Sequence, residues 1–383
     1  MDFAVSVEHE RTVTRARQFA AEVLAPRARE RANNAQFDPD LWQRASALGL
    51  TGLPVEAERG GWGCDMLGTA LVIEALAAEC EDLGLLFAIC AHNFGCVVPL
   101  WRAGTKECSD KWLRRLACGG AVGAGAITES QAGSDAFALA TSATETSDGF
   151  ALAGHKRYVT NAPIADLIIV YARTEPLKGP FGISAFAVPV DVPGLRVEPA
   201  PRKSGLASAP WGSLVLEDCR VPSTTLIGER GAGAAIFNEA MRWERICLLA
   251  LTLGATTRIL GRCINHVRSR RQFGQPIGQF QAVANKLVDM RLRLEASRWL
   301  LYHAAWLHSR NEPADEAICL SKIMSAESAV AAGIDAVQLF GGEGIMPDSG
   351  IELFLRDMLP LRILSGTTEV QKQLLARLMG ITR

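Results

Sequence analysis

Phe280-Gln281-Ala282-Val283-Ala284-Asn285-Lys286-Leu287-Val288-Asp289-Met290-Arg291-Leu292-Arg293-Leu294, running on to Leu301, holds the pattern that sets the architecture. Phe280, Val283, Leu287, Met290, Leu294 and Leu301 follow the three- and four-residue step of a helical-bundle seam. Helical patterning extends in both directions, so residues 231–383 read as a C-terminal four-helix bundle. Upstream the period changes. Phe150–Leu152, Leu167–Ala172, Ile183–Val188 and Leu214–Leu216 are short and β-rich, with Gly, Pro and Asp between them. Residues 121–230 therefore read as a small, mainly antiparallel, barrel-like β-domain. Residues 1–120 are helical again, with Val13, Ala16, Ala20, Val23 and Leu24 on one stripe and Leu67–Ala78 similarly spaced. Pro54 to Gly63 forms a loop between them. The fold class is α+β, in the order helical, β, helical.

A chain of 383 residues, 49% apolar, can bury two or three cores. Its net charge of -1 and the lack of a basic block argue against nucleic-acid binding. Met1 to Glu10 resembles neither a secretory nor a transit signal. No run of about twenty apolar residues stands out, so no membrane span is expected. Ten cysteines form no C-x-x-C pair and sit mostly in apolar runs, which points to reduced thiols in a cytoplasmic protein. Cys263 with His266, and His92 between Cys90 and Cys96, lack a second pair, so no metal site is expected.

One carboxylate interrupts an apolar seam. Phe237, Met241, Glu244, Leu248, Leu251 and Ala255 step by three or four along the first bundle helix. Burial would raise the pKa of Glu244 and make it a base at neutral pH. The other reading is an ion pair with Arg242 or Arg245 at the bundle surface.

Further segments are individually weak. Ala126-Ile127-Thr128-Glu129-Ser130-Gln131-Ala132-Gly133-Ser134-Asp135 is a small-residue, hydroxyl-rich turn. Lys156-Arg157-Tyr158-Val159-Thr160-Asn161 places an aromatic ring and a hydroxyl on one strand face. Arg270 to Gly278 joins a cation, Phe273 and a tight turn. Gln338-Leu339-Phe340-Gly341-Gly342-Glu343-Gly344 permits close approach of a phosphate. It follows a helix and no strand, so it is no Rossmann fingerprint.

In this order and spacing, together with Ile227 to Gly233, these segments resemble the acyl-CoA dehydrogenase family over essentially the whole chain. The resemblance implies an N-terminal helical domain, a β-domain and a C-terminal bundle, usually as a homotetramer with FAD between the latter two. By that resemblance Ile127, Thr128, Gly133 and Ser134 meet the isoalloxazine or the thioester end, while Tyr158 and Thr160 cover the flavin. Arg270, Phe273 and Gln281 hold the pyrophosphate and adenosine, Gln338, Gly341 and Gly342 come from a neighbouring subunit, and Thr367 and Glu369 complete the site.

Many family members place the catalytic glutamate directly before the Gly-Thr of that last turn, where this chain has Ser365. Isovaleryl-type and long-chain-type members carry the base on the first bundle helix, directly before an arginine. Glu244-Arg245 matches that position, with Arg245 supporting the base. The backbone N–H of Ser365 then remains as a donor to the thioester oxygen. Met241-Arg242-Trp243-Glu244-Arg245, Ala91 to Phe94 and Asn161 to Asp166 look most like dehydrogenases of thioesters tethered to carrier proteins, such as prolyl-carrier-protein dehydrogenases. Met241 and Trp243 would line the acyl pocket, with Trp243 narrowing it or serving as a plain core residue. The alternatives are a short branched acyl-CoA dehydrogenase of isovaleryl type, a flavin oxidase or monooxygenase, and a silent FAD-bound scaffold. The electron acceptor would be an electron-transfer flavoprotein or oxygen.

Overall fold

The computed structural model describes residues 6–382. The first segment is helical: α1 (Val7–Phe19), α2 (Ala28–Asn33), α3 (Pro39–Leu48), α4 (Met66–Glu79), α5 (Leu83–His92), α6 (Val98–Ala103) and α7 (Lys106–Ala117). Side chains satisfy the open amides at helix starts. Asp65 Oδ1 accepts from Gly68 N at 2.7 Å, and Asp82 Oδ1 accepts from Leu85 N at 3.2 Å. The stripe ending at Leu24 is not one α-helix. From Ala20 to Leu24 the chain widens into a π turn, which keeps both Ala20 and Leu24 in the core.

The middle segment contributes β1 (Gly123–Ala126), β2 (Ser142–Glu145), β3 (Gly149–Thr160), β4 (Leu167–Arg173), β5 (Ile183–Pro189), β6 (Leu195–Pro199), β7 (Trp211–Pro222) and β8 (Leu226–Ile227). Their order is β6-β7-β3-β2-β4-β5-β8, with β1 pairing parallel to β4 and most other neighbours antiparallel. Leu167 to Ala172 does not alternate because β4 is covered on both faces. Leu167, Ile169 and Tyr171 enter one apolar cluster, and Ile168, Val170 and Ala172 enter another.

The last segment holds α8 (Gly233–Trp243), α9 (Ala250–Ser269), a short hairpin of β9 (Arg271–Gln272) and β10 (Gln275–Pro276), then α10 (Gln281–Ser309), α11 (Asp315–Phe340), α12 (Ile351–Met358) and α13 (Thr368–Leu378). Met290, Leu294 and Leu301 of α10 are buried. One continuous core joins them to Leu76 of α4, Ile89 of α5 and Leu251 of α9, so the two helical segments pack as one body.

The membrane expectation requires correction. Leu83–Ala103, Gly233–Ser269 and Asp315–Ile345 are helical runs long and apolar enough to cross a bilayer by length and composition. Their most apolar windows are 89%, 78% and 61% buried inside this molecule, which accounts for that hydropathy as core packing. All ten cysteines are free, nine of them buried and Cys118 exposed.

Candidate active site

Glu244 stands where α8 gives way to α9. The helix does not run straight through this point: Glu244–Leu248 forms a π turn. The extra residue shifts the seam by part of a turn, so Met241, Leu248, Leu251 and Ala255 all reach the core on either side of the carboxylate. Burial pushes the Glu244 carboxyl above its ordinary value, and a hydrogen bond from Ser365 and the nearby Arg245 charge pull it back down.

The ion-pair reading of Glu244 is not what the structure shows. Arg242 turns away to Asp315, with Nε 2.8 Å from Oδ1, and to Glu239. Arg245 donates from Nε to the Ser365 carbonyl at 3.0 Å. Among the described residues no cation lies within ion-pair distance of the Glu244 carboxylate. Its bond comes from the hydroxyl of Ser365, which donates to Oε1 at 2.6 Å.

Ser365 and Gly366 take consecutive left-handed conformations, with φ of 58° and 88°. A Cβ at Gly366 would lie 2.7 Å from Gln371 Nε2, so only glycine fits this turn. Gln371 is buried, donates to the Ser365 carbonyl at 3.3 Å and leaves its own Oε1 unpaired. Thr367 then caps α13, with Oγ1 accepting from Val370 N at 3.2 Å. The turn before α13 thus faces the π turn of the first bundle helix.

Trp243 is 4% exposed. Its ring meets Phe94, Trp101 and His308 with centroids 6.5, 6.0 and 5.8 Å away, and its N–H donates to Glu239 Oε1 at 3.3 Å. It is a core tryptophan, sharing an apolar cluster with Phe94. Met241 is also buried.

The turn that bears Ile127, Thr128, Gly133 and Ser134 follows β1. Two residues of β3 anchor it. Lys156 Nζ donates to Ile127 O at 3.1 Å and to Glu129 Oε1 at 2.8 Å, and Arg157 N donates to Thr128 O at 2.8 Å. Glu129 also accepts from Ala140 N and Thr141 N. Burial pushes the Glu129 carboxyl up, and the Lys156, Thr141 and Ala140 bonds more than reverse this, to about 2. Pairing of β3 with β7 skips between Lys156 and Val159. This bulge frees Arg157 for the turn and puts Tyr158 at a φ of 58°, so the simple strand alternation expected for Tyr158 and Thr160 is broken. Tyr158 stacks on Trp211 with centroids 5.3 Å apart, yet stays 55% exposed.

The other expected cofactor residues fall into two further groups. Arg270 caps α9, Gln281 starts α10, and Phe273 sits at the hairpin tip, 92% exposed and edge-on to Phe280. Gln338 lies near the end of α11, followed by exposed Gly341 and Gly342. Glu369 lies on the first turn of α13. Glu369 hydrogen-bonds Thr367 and so belongs with the Ser365 turn, whereas among the described residues no hydrogen bond joins the 270–281 or the 338–342 group to that turn.

The donor set suits a dinucleotide flavin. Gly341 has a φ of 60°, and a Cβ there, as at Gly342 and Gly133, would meet nothing within 4 Å. Tyr158, stacked on Trp211 by one face, and Phe273 are exposed rings in left-handed conformations. Such exposed aromatic area and open backbone suit a ring system and a pyrophosphate.

A helical–sheet–helical chain with a partly buried carboxylate held by the turn before its last helix has the architecture of oxidoreductases acting on CH–CH groups. This chain belongs to the acyl-CoA dehydrogenase family. The N-terminal domain of that family matches residues 6–120, its middle domain 124–219 and its C-terminal domain 231–380. The L-prolyl-[peptidyl-carrier protein] dehydrogenase of Serratia sp. is 41% identical over 381 residues, covering 100% of this chain and 99% of that protein. The solved structure of PigA with FAD and proline matches at a TM-score of 0.98 and 41% identity, covering all of both chains. That of the prolyl acyl carrier protein oxidase AnaB matches at 0.95 and 37%, covering 98% of this chain and 100% of that one.

Sequence reading missed the Ser365 hydroxyl, Gln371, Lys156 and the π turns at Ala20–Leu24, Asn93–Val97 and Glu244–Leu248. Lys156 did leave a signal, as one of two adjacent cations in a strand-like segment. The Ser365–Glu244 bond left none, because 121 residues separate the two.

Proposed function

We propose that this chain dehydrogenates a compact aminoacyl thioester held on a carrier protein, with FAD as its cofactor. The observation that carries the reading is the Glu244 carboxylate, placed in the π turn without an ion-pair partner and facing the Ser365 turn. Ile127, Thr128, Gly133, Ser134, Tyr158, Thr160, Arg270, Phe273, Gln281, Thr367 and Glu369 would hold the flavin, with Gln338, Gly341 and Gly342 supplied by a second copy in a homotetramer. When bound, FAD supplies the acceptor for the β-hydride. Glu244 takes the α-proton. As that proton leaves, the thioester oxygen gains negative charge, and the Ser365 N–H in its left-handed turn is the donor for it. The apolar surroundings of Glu244 raise its basicity. The preference for a cyclic aminoacyl group on a carrier rests on the likeness to prolyl-carrier-protein dehydrogenases. The electron acceptor for the bound cofactor would be an electron-transfer flavoprotein or oxygen.

The test offers one prolyl group as a carrier-protein thioester and as a CoA thioester, and follows flavin absorbance. Bleaching by the carrier form at far lower concentration supports the reading, and equal response to both favours the CoA alternative. Glu244→Gln should retain FAD and lose flavin reduction by about 1,000-fold or more, the scale of a removed general base. Near wild-type reduction in that variant would eliminate Glu244 as the base.

A further inference from the structure

Ser365 occupies the position where many relatives carry the catalytic carboxylate, and its own side chain points at the base of this chain. Its hydroxyl donates to Glu244 Oε1 at 2.6 Å. Its carbonyl is held from two sides, by Arg245 Nε at 3.0 Å and Gln371 Nε2 at 3.3 Å. Gly366 follows in a left-handed conformation that no larger residue can share without striking Gln371. The serine is therefore fixed at its backbone, and only the hydroxyl rotor is free. A Ser hydroxyl has a single proton to donate, so it engages one carboxylate oxygen and leaves the other for substrate. Among the described residues no protein group hydrogen-bonds Glu244 Oε2.

We infer that the Ser365 hydroxyl is a positioning residue for the base: it clamps Glu244 Oε1 so that Oε2 is the atom presented to the α-proton. This deepens the dehydrogenase reading and rests on it. The same contact has an electrostatic consequence. A hydrogen bond to the charged form of a carboxylate stabilises that form, so Ser365 offsets part of the penalty that burial imposes. The groups around Glu244 leave few substitutes. Arg245 comes from its own turn, with its Nε already committed to the Ser365 carbonyl. Cys90 from α5 is pushed up by burial and then by the Glu244 charge, and Tyr171 from β4 by burial, then by Cys96 and by Glu244, so both stay neutral near pH 7.

The test is the pH profile of flavin reduction in single turnover, from about pH 5 to about pH 9, where the acid limb reports deprotonation of the base. In Ser365→Ala that limb should move up by about one pH unit, with kcat falling at neutral pH and KM little changed. Ser365→Thr keeps the hydroxyl but strains the left-handed backbone, so its acid limb should stay at the wild-type pH even where kcat or FAD content falls. FAD content and melting temperature are measured on each variant. Should Ser365→Ala fail to hold FAD, Ser365→Gly tolerates the left-handed backbone and should show the same upward shift. An acid limb that superimposes on wild type in the hydroxyl-free variant overturns the inference. Glu244→Gln separates the two levels. If it still reduces flavin, the base assignment fails and this inference fails with it. If it is silent while Ser365→Ala matches wild type, only the positioning role falls.

Discussion

At the residue scale, burial ties the protonation of Glu244 to folding as well as to catalysis. Its folded pKa lies above the unfolded 4.5, so its contribution to stability is complete below that value and is lost as pH rises through the folded pKa. Glu244→Gln removes that loss and should leave the melting temperature at neutral pH unchanged or higher while activity collapses. His92 shows the opposite sign. It is fully buried, accepts from Gly123 N through Nδ1 at 2.8 Å, and faces the carbonyls of Thr51 and Leu116 through Nε2. Burial drops it from 6.5 to about 4, so its contribution is present above the unfolded pKa and lost as pH falls from 6.5 towards 4. The full swing is about 3 kcal/mol. Thermal unfolding of His92→Gln should give a protein weaker at pH 7 by about 2 kcal/mol, with a flatter decline into acid. An unaltered acid slope would remove His92 from the account.

At the scale of elements, the departures from regular geometry set up the site. The π turn at Glu244–Leu248 keeps the apolar seam in register on both sides of a carboxylate. The β3 bulge releases Arg157 from the sheet and lets Lys156 hold the Ile127–Ser134 turn. Lys156 is wholly buried, and that burial lowers it to about 8 although Glu129 pulls the other way. Removing one partner of such a pair strands the other charge. Lys156→Met should therefore cost about 3–5 kcal/mol in denaturant unfolding and weaken FAD binding. Stability within about 0.5 kcal/mol of wild type would show that Glu129 finds enough compensation from Thr141 and Ala140. These devices were not legible beforehand. The strands around the bulge read correctly as β because Val, Ile and Leu repeat there. A bulge adds one residue, and that residue carries no compositional mark.

For the whole molecule, the outer face of α10 is the feature one chain does not account for. Val288, Leu292, Trp299 and Trp306 lie 64%, 67%, 51% and 40% exposed along one stripe. A contiguous apolar stripe of this length marks an interface. The proposed homotetramer would cover it and would also bring Gln338, Gly341 and Gly342 to a neighbouring flavin. Light scattering after size exclusion should give four copies for the wild type and a smaller species with low FAD content for Leu292→Asp. A monomeric wild type would require the flavin site to be complete within one chain.

The helical–β–helical order and the bundle seam were legible from residue order alone, because periodicity records which face of each element meets a core. So was the candidacy of Glu244, since a carboxylate in an apolar seam stands out against its neighbours. Only the tertiary structure decided what Glu244 touches. Arg242 and Arg245, adjacent in the chain, turn to Asp315 and to the Ser365 carbonyl, while a serine 121 residues away supplies the hydrogen bond. Local pattern fixes burial, whereas partnership among buried polar groups depends on which distant turns the packing brings within about 3 Å.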